Sequence, residues 1–379
     1  MTIALVYNLK EEALPAEVRP VDLPTSPSAP PASLPDASLA EPRHAIQDRT
    51  NDVYAEWDTR ETIEAVRDAL QERHTVELVE ADLAAYDRLR DLRPDFVFNI
   101  AEGLNGVSRE AQMPAIFEML QLPYLGSDPL TLASCLDKGR TKEILSYHGI
   151  PTAQFSVVHS LDGFEDLRVR FPSMVKPLHE GSSKGIYNSC LVRNAEELER
   201  EVRTILTVYH QPALVEEFLP GREFTVAIMG NGESLRILPV VEIKFSSLPE
   251  GMNPIYSYEA KWILDTAANP LDIFTCPAEI DTALHQQIAR ITQAAYRVLR
   301  CRDWSRIDVR LDSAGTPRIL EVNPLPGILP KPEDNSCFPK AARAAGLSYS
   351  QLINAVLNIA LERTGVFHGP AMLSTLQNS

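Results

Sequence analysis

The residues best suited to catalysis lie in one stretch, positions 306–327, which has the pattern of a β-hairpin. In its first arm, apolar side chains alternate with charged ones, as in a strand with one buried face and one polar face. The apolar set is Ile307, Val309 and Leu311, and the charged set is Arg306, Asp308, Arg310 and Asp312. After a turn at 313–316, the second arm is expected to place Leu320 and Val322 on one side and Ile319, Glu321 and Asn323 on the other.

Closure of this hairpin around 313–316 predicts that Asp308 lies opposite Glu321 and Arg306 opposite Asn323. Directly opposed residues share one face of a sheet, so these four polar side chains should converge. Two carboxylates and an amide oxygen suit a hard cation such as Mg²⁺, particularly one that also binds nucleotide phosphates. An ordinary hairpin with a solvated polar face has the same alternation, and this segment alone does not separate the two interpretations.

A candidate phosphate-binding segment spans positions 174–186. A strand that ends at Lys176 precedes a loop of small residues, Gly181, Ser182, Ser183 and Gly185. The backbone N–H groups of such a loop can approach an anion closely, and the lysine adds positive charge. A loop rich in glycine and serine is a weak signal by itself, and an ordinary loop is the alternative.

The elements that position these candidates begin with an alternation of strand and helix. The expected order is a buried strand near 3–7, a helix over 60–70 after a cap at Asp58 or Thr59, a strand at 76–80, a helix that reaches Leu92, and an apolar strand at 95–100. This order predicts a parallel, doubly wound sheet. Further along, the segment from Glu216 to Glu223 is expected to connect two sheets.

The turn after the strand at 95–100 is a third candidate site. Ligands of open parallel sheets bind beyond the carboxyl ends of the strands, which makes Glu102 and Gly103 candidates for substrate contact. An ordinary strand-to-helix loop is the alternative interpretation. Between Pro15 and Pro42 the chain holds eight of its 29 prolines, so 13–46 is expected to be a surface excursion that buries little apolar area.

Composition limits the class of partner. The chain has 379 residues, 44% of them hydrophobic, and a net charge of −16, which favours small-molecule substrates over nucleic acid or an anionic membrane. Its five cysteines are scattered and form no C-x-x-C pair, which fits a reducing, cytoplasmic environment. Apolar runs fall short of the ~20 residues of a membrane span, so no membrane association is expected.

Taken together, the motifs resemble those of the ATP-grasp enzymes, and among these the D-alanine–D-alanine ligases, from about position 97 to about position 361. The motifs that carry the resemblance are Asp137-Lys138, Lys176 with Glu180 to Ser183, Glu216 to Glu223, Tyr258 to Lys261, Arg306 to Asp308, Glu321 to Asn323, and Pro326-Gly327. No single motif is decisive, but their joint order is highly specific.

The resemblance implies an α/β chain with the ATP-grasp fold, in which two α+β lobes clasp ATP. The expected divisions are an N-terminal Rossmann-like domain with a doubly wound parallel sheet at 1–127, a central lobe at 128–215, a C-terminal lobe with the metal and oxyanion site at 216–366, and a tail at 367–379. It also suggests a homodimer.

Residue roles follow from the same resemblance. Lys138, Lys176 and Lys261 are implied to contact ATP phosphates, with Glu180, Ser182 and Ser183 in the loop that folds over them. Glu216 and the backbone near Leu219 would meet the adenine, and Glu223 the ribose. Asp308, Glu321 and Asn323 would hold two Mg²⁺ ions, for which Mn²⁺ could substitute. Arg306 and the Gly327 backbone would face the oxyanion, and Ser182 and Lys261 would assist catalysis.

The implied chemistry is ATP-dependent amide formation, in which a carboxylate becomes an acyl phosphate and an amine then displaces phosphate. Both steps concentrate negative charge, so lysines, Mg²⁺ and an arginine are the groups that the reaction requires. A closing loop near Tyr256 to Lys261 would keep water from the acyl phosphate. Two alternatives stay open: another ATP-grasp chemistry, phosphorylation or carboxylation, and a non-catalytic nucleotide-binding protein.

Departures from the ligase pattern fall on the amino-acid side. The glycine-rich loop and glutamate that hold the first ammonium group are not visible after Tyr7, and Glu56 is the nearest candidate. Glu102 stands where the ligases carry histidine, and Trp262 where they usually carry an aromatic hydroxyl. The acceptor loop between Gly327 and Ser336 is longer by about four residues, within 330–335. These changes predict the same reaction type with a different substrate pair.

Overall fold

The computed structural model describes residues 1–10, 56–103, 105–265 and 271–366. The proline-rich stretch at 13–46 and the tail at 367–379 lie outside the described residues, so the expectations for them stay predictions. Within the described ranges the chain folds around three sheets, which come from successive parts of the sequence.

The first sheet has three parallel strands in the order β2–β1–β3. Their bounds are β1 Thr2–Tyr7, β2 Thr75–Glu80 and β3 Phe96–Asn99. Helices α1, Arg60–Gln71, and α2, Ala85–Leu92, connect them. Thr59 caps α1, because its hydroxyl oxygen accepts a hydrogen bond from the Thr62 N–H. The alternation predicted for this region is confirmed.

Three helices then lead to the second sheet: α3 Gln112–Met119, α4 Pro129–Leu136 and α5 Lys138–Tyr147. The sheet is antiparallel, in the order β4–β7–β5–β6, with bounds β4 Phe155–Val158, β5 Ser173–Pro177, β6 Leu191–Val192 and β7 Ala213–Glu217. Helix α6, Ala195–Thr204, covers one face, where its Leu198 and Val202 pack with Val175 and Val215.

The third sheet has the order β11–β10–β8–β12–β13, and β9 also pairs with β8. The bounds are β8 Glu223–Met229, β9 Arg236–Ile237, β10 Val241–Ile243, β11 Phe274–Thr275, β12 Trp304–Leu311 and β13 Pro317–Asn323, with helix α7 at Thr282–Val298. The predicted connection between two sheets is confirmed, because β7 ends at Glu217 and β8 begins at Glu223. Strand β7 continues two residues past the expected division at 215.

The hairpin of β12 and β13 has the predicted register: Asp308 pairs with Glu321 and Arg306 with Asn323. The expected facing of Ile319 and Leu320 is wrong. The register shifts between Asp308 and Val309, so that Val309 pairs with Ile319 and Leu320 becomes the extra residue of a β-bulge. Ile319 is consequently buried in the core, whereas Leu320 lines the cavity described below.

The last two helices, α8 at Cys337–Ala344 and α9 at Tyr349–Thr364, return to the N-terminal part of the chain. One hydrophobic core joins side chains of β1 and α1 to side chains of α8 and α9. In the described part of the chain, no single helix is long and apolar enough to cross a membrane; α8 and α9, which meet at a 99° bend, meet that criterion only as a pair.

Candidate active site

A cavity of about 450 Å³ lies where the three sheets approach one another. Nearly all the candidate site residues predicted from the sequence line it, although they are spread from position 56 to position 336; Gly103 and Gly185 do not line it. Residues from the turn after β3, from the end of β5, from β7 and β8, and from the β12–β13 hairpin therefore share one space. The geometry divides into a hairpin floor, a group of buried lysines, two touching loops, an acidic wall and an acceptor loop.

The hairpin floor holds the predicted cluster of polar side chains. The Arg306 guanidinium donates from Nη2 to Asp308 Oδ2 at 3.0 Å and to Glu321 Oε1 at 3.4 Å. The amide of Asn323 donates to the same Glu321 oxygen at 3.3 Å. Thr225, on the neighbouring strand β8, donates its hydroxyl to Asp308 Oδ1 at 2.6 Å. Two carboxylates, an amide and a guanidinium are thus fixed on rigid strands.

Electrostatics distinguish the two carboxylates of this floor. Burial, with added repulsion from Glu321, raises the pKa of Asp308 to about 6 although Arg306 opposes the shift. Burial would also raise the pKa of Glu321, but the charges of Lys138, Arg306 and Lys176 outweigh it and hold that pKa well below its usual range. Two partly buried carboxylates that bind the same guanidinium favour a cation between them.

The donor set fits Mg²⁺ in part. Among the described residues, no group of three or more histidines, cysteines or acids forms a complete metal-binding cluster. Asp308 and Glu321 supply two carboxylates, and Asn323 adds an amide. Mg²⁺ commonly takes one or two carboxylates and completes its shell with water and substrate phosphates, so this incomplete set suits a metal that arrives with a nucleotide.

Buried lysines surround Glu216 on strand β7. Glu216 Oε2 lies 2.8 Å from Nζ of Lys142, and its other oxygen contacts Nζ of Lys176. Burial would raise the pKa of Glu216, but the two ammonium groups lower it to about 2. Lys138, at the start of α5, donates to the Glu180 carbonyl and lies 3.6 Å from Glu321. Lys142 was not a sequence candidate, because its partner is 74 positions away and no motif marks it.

Two loops that line the cavity, one around Ser182 and Ser183 and the other from Tyr256 to Asp265, touch each other. Ser182 and Ser183 both adopt left-handed backbone conformations, with φ of 51° and 61°. The Ser183 hydroxyl donates to the Tyr256 carbonyl at 2.8 Å, and the indole of Trp262 donates to the Ser182 carbonyl at 3.0 Å. The segment after Tyr256 ends in a wide helical turn, Glu259–Leu264. Burial, reinforced by Arg306, lowers the pKa of Lys261 on this turn to about 8.

Glu56 and Glu180 are tied together by Arg109, which sequence reasoning missed. The Arg109 guanidinium lies 2.7 Å from Glu56 and 3.2 Å from Glu180. Glu56 also accepts from the Gly181 N–H at 2.6 Å. The side chain of Glu56 therefore holds the loop of Gly181, Ser182 and Ser183, called the serine loop below. The side chain of Glu180 is bound by Arg109, Gln211 and Lys184.

An acidic wall, defined as Asp58, Glu102 and Glu110, faces the cavity from the N-terminal part of the chain. Burial raises the pKa of Glu102 well above its usual value, and repulsion from Glu110, Glu56 and Asp58 adds to the shift. Burial likewise raises the pKa of Asp58 to about 7 and, with repulsion from Glu56, that of Glu110 to about 8. A cation placed against this wall would relieve the mutual repulsion.

Glu223 and Leu219 also line the cavity. Glu223 forms an ion pair with Arg310 at 2.7 Å, and Leu219 is buried. Arg310 was predicted as a hairpin charge but not as a site residue. It bridges β8 and β12, and its Nη2 also donates to the Pro254 carbonyl at 2.8 Å.

The acceptor loop runs from Gly327 to Ser336, and the Ser336 hydroxyl donates to the Gly327 carbonyl at 3.1 Å. The extra segment at 330–335 contains a short helical turn, Pro332–Asp334, and ends at Asn335 in a left-handed conformation with φ of 52°. Lys331 in this segment forms an ion pair with Glu61 of α1 at 2.8 Å. Glu333, Asp334 and Asn335 line the cavity, so the additional residues form part of its wall.

Comparison with known proteins agrees with this geometry. The family model described as D-ala D-ala ligase C-terminus matches residues 144–358, more than half of the chain. A protein of Sinorhizobium fredii, "Uncharacterized protein y4sG", is 39% identical over 317 residues, which are 81% of this chain and 89% of that protein. The D-alanine–D-alanine ligase of Haemophilus influenzae is 35% identical over 271 residues, 70% of this chain and 82% of the relative.

Solved structures show the same fold. The D-alanine–D-alanine ligase from Bacillus anthracis complexed with ATP aligns with a TM-score of 0.62 at 20% identity, covering 96% of this chain and 99% of that one. Fold and cavity together define an ATP-grasp enzyme. The chain belongs to the D-alanine–D-alanine ligase family. It is an ADP-forming, ATP-dependent carboxylate–amine ligase that acts on small molecules, and ligases of this family use ATP and Mg²⁺.

Proposed function

We propose that this ligase joins the carboxylate of an amino acid or small acid to the amine of an amino acid, through an acyl phosphate. The observation that carries the proposal is the joining of the Arg306, Asp308 and Glu321 cluster, the lysines around Glu216 and the two touching loops in one cavity. Each group meets one need of the reaction: phosphoryl transfer needs cations, and attack by an amine needs an oxyanion donor and a dry site.

We propose nucleotide roles for the lysines, the Ser182–Ser183 loop and the residues of β7 and β8 that line the cavity. Lys138, Lys176 and Lys261 would contact the phosphates, and the serine loop would cover them. Glu216 and the backbone at Leu219 would meet the adenine, and Glu223 the ribose. The short contacts of Glu216 and Glu223 with cations support this part of the proposal, because they fix both carboxylates in place.

Asp308, Glu321 and Asn323 are proposed to hold Mg²⁺, as two ions, and Mn²⁺ is expected to substitute. Bound there, the metal would neutralise charge on the transferring phosphoryl group. Arg306 would then face the oxyanion, with the Gly327 N–H as the second donor. The support is positional: Arg306 already lies within 3.4 Å of both carboxylates, on the same face of the hairpin.

The substrate pair is proposed to differ from two molecules of D-alanine. Glu102, with Asp58 and Glu110, places carboxyl groups where one substrate would enter, and a carboxyl group there attracts an ammonium or cationic extension and repels a carboxylate. Trp262 and Ser336 would contact the substrates from the two loops, and Glu56 would act through Arg109. Synthesis of a D-alanyl dipeptide is the alternative.

A homodimer and a cytoplasmic location complete the proposal. The location is supported by five free cysteines, which suit a reducing compartment, and by the need for ATP. The net charge of −16 supports small-molecule partners rather than nucleic acid or anionic membrane.

The deciding experiment measures phosphate release from ATP with pairs drawn from a panel of amino acids and small acids, and identifies products by mass. Phosphate release is expected to require both partners and Mg²⁺. The product is expected to have a mass equal to the sum of the two partners less one water. A stable phosphorylated product, or dependence on bicarbonate, would instead support phosphorylation or carboxylation. The variant Arg306→Lys tests the oxyanion donor. It keeps the positive charge but loses the planar donor pair, so it should slow product formation.

A further inference from the structure

The additional segment of the acceptor loop, 330–335, is bound to the end of the closing segment at Asp265. Asn335 donates from Nδ2 to Asp265 Oδ1 at 2.9 Å and to Asp265 Oδ2 at 3.0 Å. The same nitrogen lies 3.3 Å from the Leu271 carbonyl. One amide group of the acceptor loop therefore meets a carboxylate and a backbone carbonyl of the other loop, and its donor capacity is used there.

Asp265 in turn joins the two ends of the closing segment, defined as Tyr256 to Asp265. The Tyr256 hydroxyl donates to Asp265 Oδ2 at 3.1 Å, and the Leu271 N–H donates to Oδ1 at 2.8 Å. The ring of Tyr256 packs edge-on against Phe274 on strand β11, with 5.4 Å between ring centroids. The carboxylate of Asp265 thus binds the hydroxyl of Tyr256, whose ring packs on the third sheet, and the backbone of Leu271.

From this point, contacts continue to the serine loop. The Tyr256 carbonyl accepts from Ser183, and Trp262 donates to the Ser182 carbonyl. Lys261 and Trp262, which line the cavity, lie between these two attachments. A continuous set of hydrogen bonds therefore runs from the acceptor loop through Asp265 and Tyr256 to the loop that would cover the nucleotide.

On its other side, Asn335 is held by the body of the acceptor loop. The next residue, Ser336, donates its hydroxyl to Gly327, and Arg343 of α8 donates to the Pro330 carbonyl at 3.3 Å. The left-handed conformation of Asn335 suits asparagine better than most residues. Asn335 is accordingly presented to Asp265 by a braced backbone.

We propose that Asp265 and Asn335 are positioning residues that latch the closing segment to the acceptor loop, so that the cavity is closed to water only when both loops are in place. The latch would let the ligase form the amide instead of losing the acyl phosphate to hydrolysis. This consequence for coupling rests on the proposed function, whereas the latch itself rests on the contacts between the two loops.

The first test measures hydrogen exchange of backbone amides at 256–265 in the full-length protein, with Mg²⁺ and a non-hydrolysable ATP analogue. Asn335→Ala should accelerate exchange by about tenfold or more, because it removes several hydrogen bonds that hold the segment. The reciprocal pair Asp265→Asn with Asn335→Asp restores an amide opposite a carboxylate, and it should return exchange toward the original rate. Lys331→Ala removes an exposed ion pair from the acceptor-loop segment that also contains Asn335. It is the matched control and should leave exchange at 256–265 unchanged.

The second test measures phosphate released per amide formed, with a substrate pair on which the unmodified ligase is active. Asn335→Ala should raise this ratio well above one and leave KM for ATP nearly unchanged, and the reciprocal pair should lower the ratio again. Unchanged exchange in Asn335→Ala, an equal effect of Lys331→Ala, or no recovery in the reciprocal pair would overturn the latch. If no pair yields an amide while exchange responds as expected, the proposed function fails and the latch stands.

Discussion

The two ends of the cavity differ in how their charged side chains are paired. At the proposed nucleotide end, opposite charges are paired at short range: Glu216 with Lys142 and Lys176, and Asp308 with Arg306. At the proposed amine end, Glu102 lies among other acids, and burial and repulsion raise its pKa. The ion pairs are in place before a substrate binds, whereas the repulsion among the acids of the wall is reduced only when a positively charged group binds there.

On the proposed function, this difference would separate the part of the site that is common to the reaction from the part that selects the substrate. Preorganised charges are effective in catalysis because they need little rearrangement during the reaction. Carboxyl groups with raised pKa values contribute to selectivity, because an ammonium group stabilises their ionised form and a neutral or anionic competitor does not. Changes at the nucleotide end should therefore reduce turnover for every substrate, and changes at the wall should alter the choice among substrates.

The largest expected effect is on turnover, from Glu321→Gln. Loss of one carboxylate beside the proposed metal should reduce kcat by a factor of about 10²–10³ while the fold stays intact. Steady-state phosphate release and a thermal melt measure the two quantities. Asp312→Asn, at the far turn of the same hairpin, is the control and should keep nearly full turnover at a permissive temperature. Full activity in Glu321→Gln would remove the metal assignment.

The next effect is on stability, from Lys142→Met. The change leaves the buried carboxylate of Glu216 with one cation instead of two, and should lower the free energy of unfolding by about 3 kcal/mol. Urea unfolding followed by circular dichroism measures it. Arg140→Met removes an exposed ion pair with Glu143 from the same helix, and it should change stability by less than about 0.5 kcal/mol. Equal losses in the two variants would show that the pairing at Glu216 contributes little.

Glu102→Gln tests the acidic wall. It should weaken binding of the amine-bearing substrate by about 1–3 kcal/mol, the scale of a lost charged hydrogen bond, and leave KM for ATP unchanged. Glu102→His should shift preference toward simple D-amino acids. Initial rates over a matrix of both substrates separate the KM values. A change confined to KM for ATP would assign Glu102 to the scaffold or to the nucleotide side.

The smallest effect concerns pH and Lys261, whose pKa is lowered to about 8. Below that pH its ammonium is charged and can meet a phosphate, and as pH rises through about 8 the charge is lost. The value of kcat/KM for ATP should then fall by up to about tenfold per pH unit. Lys261→Arg should flatten the profile because arginine stays charged, whereas Lys244→Arg, outside the cavity, should not. A profile that is flat without any substitution would contradict the role of Lys261.

Local pattern was sufficient to predict the elements and the hairpin. Alternation in two arms and a short turn determine which residues face each other, so the pairing of Asp308 with Glu321 followed from the sequence. The bulge at Leu320 did not, because an extra residue in one strand leaves the local alternation of residue types unchanged. Its position depends on how Ile319 and Val322 both reach the core.

Contacts between distant segments could not be predicted from spacing. Arg109 lies 53 positions from Glu56 and 71 from Glu180, and no local motif identifies it as their partner. The resemblance to a family suggested the proposed roles of Lys138 and Lys176, but the contact between Asp265 and Asn335 lies in a segment where the chain departs from the pattern of that family. Sequence reasoning thus fails for contacts between distant segments, particularly where the chain departs from the pattern of its family.

The packing of α9 on α1 has a consequence for synthesis of the chain on the ribosome. Asn354 of α9 donates to the Ala69 carbonyl of α1 at 2.8 Å, across 285 positions, and Val66 and Leu70 share a core with Leu357 and Leu361. The apolar face of α1 is therefore covered only after α9 has been synthesised. During that interval the nascent N-terminal sheet exposes apolar surface, and chaperone capture should be strongest just before residues 349–364 leave the exit tunnel.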